Sequence, residues 1–296
     1  MSSSAAAKPP VAFLGLGLMG AGMAHRLAGA GFPLVVYNRN REKSAPLGAA
    51  GARIAASPRE AAAGAQIIVS MVADDAASRG MWLGDSGALA GAARGTLLIE
   101  SSTLTVDWVN ELAKAATARG CEFIDAPVTG SRPQAAAGEL NFLVGGTAAS
   151  LENARVVLSV MGRSVTHLGP VGSGAMLKLI NNFLCGVQAA SLAEAMAMIE
   201  RTGLDRARAL EILTTGAPGS PLLKTFSGRM TAADFTPNFL LRLMAKDLTY
   251  ARQEGNHRGI EMTTAAAALQ VFQRAIDKGD GDKDVSAVVE QFRSKP

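Results

Sequence analysis

At 296 residues the chain is too long for one small core and suits one large or two medium domains. With 48% hydrophobic and 18% charged residues it is not a disordered chain. The net charge of +4 comes from dispersed Lys and Arg, with no basic tract interleaved with aromatics, so no nucleic-acid partner is expected.

Residues 1–10 read as a small-residue tail, expected to be disordered. The apolar run that follows lacks the basic n-region and cleavage site of a signal peptide. No uninterrupted apolar span elsewhere stands out as a membrane helix, so a cytoplasmic protein without a membrane partner is the expectation. Val11 to Leu14 reads as a buried strand, Leu18 to Ala30 has helical spacing, and Leu34 to Tyr37 is a returning strand. Gly15-Leu16-Gly17-Leu18-Met19-Gly20 lies between the first two. Gly15 allows the tight turn, Gly17 lets the backbone approach a pyrophosphate, and Gly20 lets helix and strand pack closely. The N–H groups of the first helical turn, which Leu18 and Met19 lead into, then face the phosphates.

At the end of the second strand an NAD site places Asp or Glu for the ribose hydroxyls. Here Asn38 and Arg39 stand there, with Arg41 and Lys43 adding positive charge. An acid would repel a 2'-phosphate and a guanidinium would pair with it, so NADP is favoured over NAD.

Strand-like runs continue at Arg53 to Ala55, Ile67 to Val72, Thr96 to Glu100, Cys121 to Pro127, Asn141 to Gly145 and Val165 to Leu168, alternating with helical stretches. That alternation predicts a doubly wound, mostly parallel sheet of Rossmann type over residues 11–170. Val72 and Ala73, in the loop after one strand, and Thr103, closing another, should border the cofactor. Asp125 to Ser131 sits at a strand end where the ligand crevice of such sheets opens. Thr129 and Ser131 offer hydroxyls there, and Gly130 lets backbone N–H groups converge on a carboxylate. Asp125 reads as a structural turn residue.

After Gly169-Pro170 the strand signal ends, and residues 171–296 read as an all-α domain for substrate binding and oligomerisation. Its first segment, Gly174 to Thr202, is apolar on almost every face and predicts a long buried helix joining the two domains. Lys178 lies inside it, with Asn182 on the same face four residues on. A lysine there is costly to bury unless it faces a cleft, and desolvation would lower its pKa from about 10.4 towards that of a general acid or base. Lys246-Asp247, by itself, reads as a solvated helix face. Cys121 and Cys185 read as reduced core residues, and His25, His167 and His257 lack ligand spacing, so no metal is expected.

Together these motifs resemble the β-hydroxyacid dehydrogenase family, which includes 3-hydroxyisobutyrate dehydrogenases and, nearest in its Asn-Arg ending, NADP-dependent glyoxylate/succinic semialdehyde reductases. The resemblance runs along essentially the whole chain from Val11 and rests on residues 15–20, 125–130, 174–182 and 246–247 in that order. It implies a catalytic lysine at Lys178 and a supporting asparagine at Asn182. It also implies a substrate-anchoring segment at Thr129, Gly130 and Ser131, and a cofactor-contacting lysine at Lys246. Family members commonly carry a second glycine where Ser131 stands, followed here by Arg132, a departure that bears on the substrate. The expected activity is NADP(H)-dependent hydride transfer to or from a short β- or γ-hydroxyacid or semialdehyde bearing a carboxylate, in a homo-oligomer, dimer or tetramer. The rivals are an imine reductase on the same scaffold, or an NADPH-binding interaction protein without catalysis.

Overall fold

The computed structural model describes residues 7–293, so most of the expected N-terminal tail lies outside the described residues. The chain divides into two compact units, Met1–Lys178 and Leu179–Pro296.

In the first unit, β1 (Val11–Leu14), α1 (Gly20–Gly29), β2 (Leu34–Tyr37), α2 (Ala45–Ala49), β3 (Arg53–Ile54), α3 (Pro58–Ala62), β4 (Ile67–Ser70), α4 (Asp75–Trp82), α5 (Ala88–Gly91), β5 (Leu97–Glu100), α6 (Val106–Ala118) and β6 (Glu122–Asp125) alternate as expected. They are followed by β7 (Val128–Thr129), α7 (Arg132–Ala137), β8 (Leu140–Gly145), α8 (Ala148–Met161) and β9 (Gly162–Gly169). The parallel strands lie in the order β3-β2-β1-β4-β5-β6, a doubly wound sheet whose order reverses beside β1. β8 then adds antiparallel to β6 and β7, and β9 parallel to β8.

The pleat explains why β1 is apolar at every position. Val11 and Phe13 point into one hydrophobic layer with Leu27, Phe142 and Leu158, while Ala12 and Leu14 point into the opposite layer with Trp82, Trp108 and Leu112. Fully burying a side chain such as Phe13 or Leu14 contributes about 1.5–3 kcal/mol.

β6 and β7 share one register against β8, Asp125 facing Gly145 and Thr129 facing Asn141. The expected turn at Asp125 to Ser131 is therefore one extended strand interrupted at Ala126-Pro127, where proline has no N–H to give a ladder.

α9 (Ser173–Thr202) carries the chain from the first unit into the second. The boundary between the two units falls within it, and its start is tied to β6, as described below. Nor is α9 buried on every side. Leu177, Ile180, Leu184 and Met198 are exposed, and about half of its most apolar stretch is buried. By length and hydropathy alone it would pass for a membrane span.

The second unit continues with α10 (Arg206–Thr215), α11 (Pro221–Ala232), α12 (Leu241–His257), α13 (Thr263–Asp277) and α14 (Glu290–Arg293). Its core gathers Met196, Met230, Leu241, Met244, Leu248, Phe272 and Val285 through Val289.

Candidate active site

The three glycines of the β1–α1 loop have different neighbours. Gly15 sits at φ +96°, and a Cβ there would strike the Met71 carbonyl oxygen. A Cβ on Gly20 would strike the Gly15 carbonyl oxygen and lie 3.2 Å from Phe13 Cε1. A Cβ on Gly17 would meet nothing within 4 Å. Gly15 and Gly20 are thus demanded by packing, whereas Gly17 has no packing reason and fits the approach of a ligand backbone. The N-terminus of α1 has no side-chain cap at Met19 and no acidic residue in its first turn. An uncapped helix start of this kind suits a pyrophosphate.

Asn38 stands at the end of β2, half-buried. Its Oδ1 accepts the Leu16 N–H at 2.8 Å and its Nδ2 donates to the Asn40 carbonyl at 2.8 Å, so it braces the glycine loop against the end of β2. Arg39, Arg41 and Lys43 are exposed beside it.

The loops after β4 and β5 are joined by hydrogen bonds. The Val72 N–H donates to Ser102 Oγ at 2.8 Å, and the Ser102 N–H donates to Glu100 Oε1 at 2.9 Å. Glu100 Oε2 also accepts from Ser78 Oγ and Trp82 Nε1, both at 2.7 Å. Glu100 is fully buried, and burial pushes its carboxyl above its usual range against these hydrogen bonds. Val72, Ala73 and Thr103, half-buried, line the same carboxyl-end edge of the sheet as the glycine loop. Sequence reasoning missed Glu100. The available signal was an acid ending an otherwise wholly apolar strand.

Further along that edge, Thr129 Oγ1 accepts from Asn141 Nδ2 at 3.2 Å, and Gly130 has φ +110°. Ser131 is the N-cap of α7, and both its N–H and its hydroxyl donate to Gln134 Oε1 at 2.9 Å. A side-chain oxygen thus already sits where Ser131 would hold an anion.

Lys178 occupies the second turn of α9, 9% exposed, with Asn182 one turn later. In the second unit Asn182 is 4% exposed, and its Nδ2 donates to Asp247 Oδ2 at 2.5 Å. Lys246 Nζ pairs with Asp247 Oδ1 at 3.1 Å and lies 4.9 Å from the Tyr250 ring centroid. Asp247 is buried, so Lys246-Asp247 is not the solvated face expected. The structure joins Asn182 and Lys246, two separate motifs in the sequence, through this carboxylate. Asp247 falls on the apolar stripe of Leu241, Met244, Leu248 and Ala251, a placement visible in the sequence.

Two families match successive parts of the chain: the NAD binding domain of 6-phosphogluconate dehydrogenase over residues 10–169, and the NAD-binding of NADP-dependent 3-hydroxyisobutyrate dehydrogenase over residues 172–292. The chain is 37% identical over 289 residues to an NAD-dependent L-serine dehydrogenase of Pseudomonas aeruginosa, covering 95% of this chain and 97% of that protein. The chain belongs to the β-hydroxyacid dehydrogenase family. A second member, glyoxylate/succinic semialdehyde reductase 1 of Arabidopsis thaliana, is 33% identical over 96% of this chain and 98% of its own. The solved 3-hydroxyisobutyrate dehydrogenase of Mycobacterium tuberculosis with L-serine superposes with a TM-score of 0.87, at 30% identity, covering 97% of this chain and 100% of that one. As a β-hydroxyacid dehydrogenase the chain is an oxidoreductase with a nicotinamide cofactor, and the glycine loop described above fits that cofactor.

Proposed function

We propose that the enzyme uses NADP(H) to interconvert a short β- or γ-hydroxyacid and its semialdehyde, with Lys178 as the general acid and base. The observation that carries this reading is a lysine only 9% exposed in the second turn of the long apolar helix. A dinucleotide whose pyrophosphate is held at the β1–α1 loop would supply or accept the hydride through its nicotinamide. In reduction the Lys178 ammonium polarises the carbonyl and gives its proton to the oxygen; in oxidation the neutral amine takes the hydroxyl proton. Asn182, held by Asp247, supports the lysine one turn away, and Lys246 contacts the cofactor. Thr129 and Gly130 anchor the substrate carboxylate, and Ser131 joins them where Gln134 yields its N–H. Arg39, with no acid at the end of β2, supports NADP over NAD by pairing with the 2'-phosphate. Retention of Lys178 favours this reading over an imine reductase, which does not need that proton donor in the same way, and over a non-catalytic NADPH-binding protein.

The test is nicotinamide oxidation across glyoxylate, succinic semialdehyde and related aldehyde acids with NADPH and NADH in parallel. L-serine and 3-hydroxyisobutyrate are run in the oxidative direction. NADPH turnover with one or two aldehyde acids is the expected result. Turnover confined to L-serine with NAD would replace the reading with that of the Pseudomonas relative, and NADPH binding without any turnover would overturn it. Lys178→Ala is expected to lower kcat by about 100- to 10,000-fold while NADPH binding survives. Near-parental turnover in that variant would remove the lysine from the mechanism. The exposed Leu177, Ile180 and Leu184 on α9 support a homo-oligomer, to be read by size-exclusion chromatography.

A further inference from the structure

Asp125 closes β6, is 1% exposed, and sends both carboxylate oxygens to a segment far along the chain. Oδ1 accepts the Gly172 N–H at 2.7 Å and Oδ2 accepts the Ala175 N–H at 2.8 Å. The Ala175 N–H belongs to the first turn of α9, which has no partner for it within the helix, and the Gly172 N–H stands just before that turn. Glycines clear the space. A Cβ on Gly145 would approach Asp125 Oδ1, and one on Gly174 would lie 2.8 Å from Oδ2 and strike the Leu143 carbonyl oxygen. Gly172, at φ +90°, turns the chain into the helix. Two readings of this contact compete. It is either a helix cap that stabilises the fold alone, or a fixed point of the substrate site.

The positions favour the second. Ala175 is three residues before Lys178, about 4.5 Å along the helix axis, while Asp125 leads within a few residues to Thr129 in the same extended strand and to Gly130 just beyond it. We propose that Asp125 is a positioning residue of the substrate site, its carboxylate bolting the start of the Lys178 helix to the strand that anchors the substrate and so fixing the spacing between the two. This rests on the roles proposed above for Lys178 and for Thr129 and Gly130. A dependent geometry of this kind is sensitive, since a displacement of about 1 Å at a reacting group costs on the order of 100-fold in rate. Asparagine does not replace the carboxylate. With two N–H donors facing it, an amide presents one acceptor and turns its own NH2 towards the other.

The experiment compares Asp125→Asn with Thr147→Ala, which removes the N-cap of α8 within the same unit but touches neither element of the site. kcat and KM for the active aldehyde acid are measured with NADPH affinity by fluorescence and with Tm. Asp125→Asn is expected to lower kcat/KM by about 100-fold, mostly in kcat, with NADPH affinity retained. Thr147→Ala is expected to lower Tm and leave kcat/KM unchanged. If Asp125→Asn loses Tm but keeps kcat/KM, Asp125 is a cap only and the proposal is wrong. Should Asp125→Asn not fold, Asp125→Glu decides, because it keeps both acceptors but moves them by one methylene. Reduced kcat with NADPH affinity retained supports the proposal, and parental kcat overturns it. Lys178→Ala run alongside separates the two failures. If it keeps turnover, the lysine assignment falls; if it is inactive while the Asp125 variants are fully active, only the positioning role falls.

Discussion

The Ser102 N–H, the Ser78 hydroxyl and the Trp82 indole donate to the carboxylate of Glu100. Burial nevertheless outweighs them, so the native state keeps this proton to a higher pH than the unfolded chain, whose glutamates titrate near 4.3. The raised folded pKa makes its contribution to stability fully present below about pH 4 and lost as pH rises through the folded value. Glu100→Gln leaves buried donors facing an amide, at a cost of about 1–3 kcal/mol. It also removes the pH-dependent loss, so the stability deficit of the variant in urea should narrow from about pH 4 to pH 7. A deficit constant with pH would mean that burial does not move the carboxyl from its unfolded-chain value, and a deficit that widens would mean that it is ionised in the folded state. Arg39 carries a different consequence, for selectivity alone. Exposed and at the end of β2, it is expected to add the binding of a charge-assisted hydrogen bond to the 2'-phosphate, about 1.5–3 kcal/mol. Arg39→Asp should therefore lower the NADPH-to-NADH ratio of kcat/KM by about 10- to 100-fold. An unchanged ratio would assign the cofactor preference elsewhere.

At the scale of elements, the site depends on how closely pairs of segments approach. Asp247 on α12 reaches Asn182 on α9, and its removal strands a buried amide N–H. Asp247→Ala is expected to cost about 1–3 kcal/mol in stability. It should also lower kcat, because Asn182 loses the partner that orients it, whereas Asp247→Asn should recover stability more than turnover. Equal recovery of both would leave Asp247 a packing residue. The elements themselves were legible wherever glycine and proline bounded an apolar run: β1, β2, β4, β5, β6 and β8 stand where the runs stand. What escaped were features set by pairing across the chain. β7 is only two residues long and is a strand because Asn141 and Phe142 lie opposite it. The bond from the Leu16 N–H to Asn38 could not be read from the sequence, because the two residues lie 22 positions apart. Asp125 looked like a turn residue because the helix start it caps lies 47 residues on. The placement of Lys178 in an apolar helix and the strand, turn and helix around the glycine loop were legible because each is set locally.

At the scale of the whole molecule, the residues proposed above for the dinucleotide from Gly15 through Thr103 all belong to the first unit. Cofactor binding is therefore expected to act on stability chiefly through the first unit. A ligand that binds only the native state at 100 times its Kd adds about 2.7 kcal/mol. For a unit of this size that corresponds to a rise in Tm of about 5–10 °C, at about 2–4 °C per kcal/mol. The comparison of cofactors makes this a test of the phosphate contact without any turnover. At equal concentrations NADPH should raise Tm more than NADH in the parental enzyme, because only NADPH offers Arg39 a 2'-phosphate. In Arg39→Asp the order should reverse, since the new carboxylate repels the phosphate and accepts from the free ribose hydroxyls. Equal shifts for both cofactors in the parental enzyme would place this chain with its NAD-dependent relative and leave Arg39 a surface residue. A larger NADPH shift that survives Arg39→Asp would move recognition of the phosphate to Arg41 or Lys43, the other exposed cations after β2.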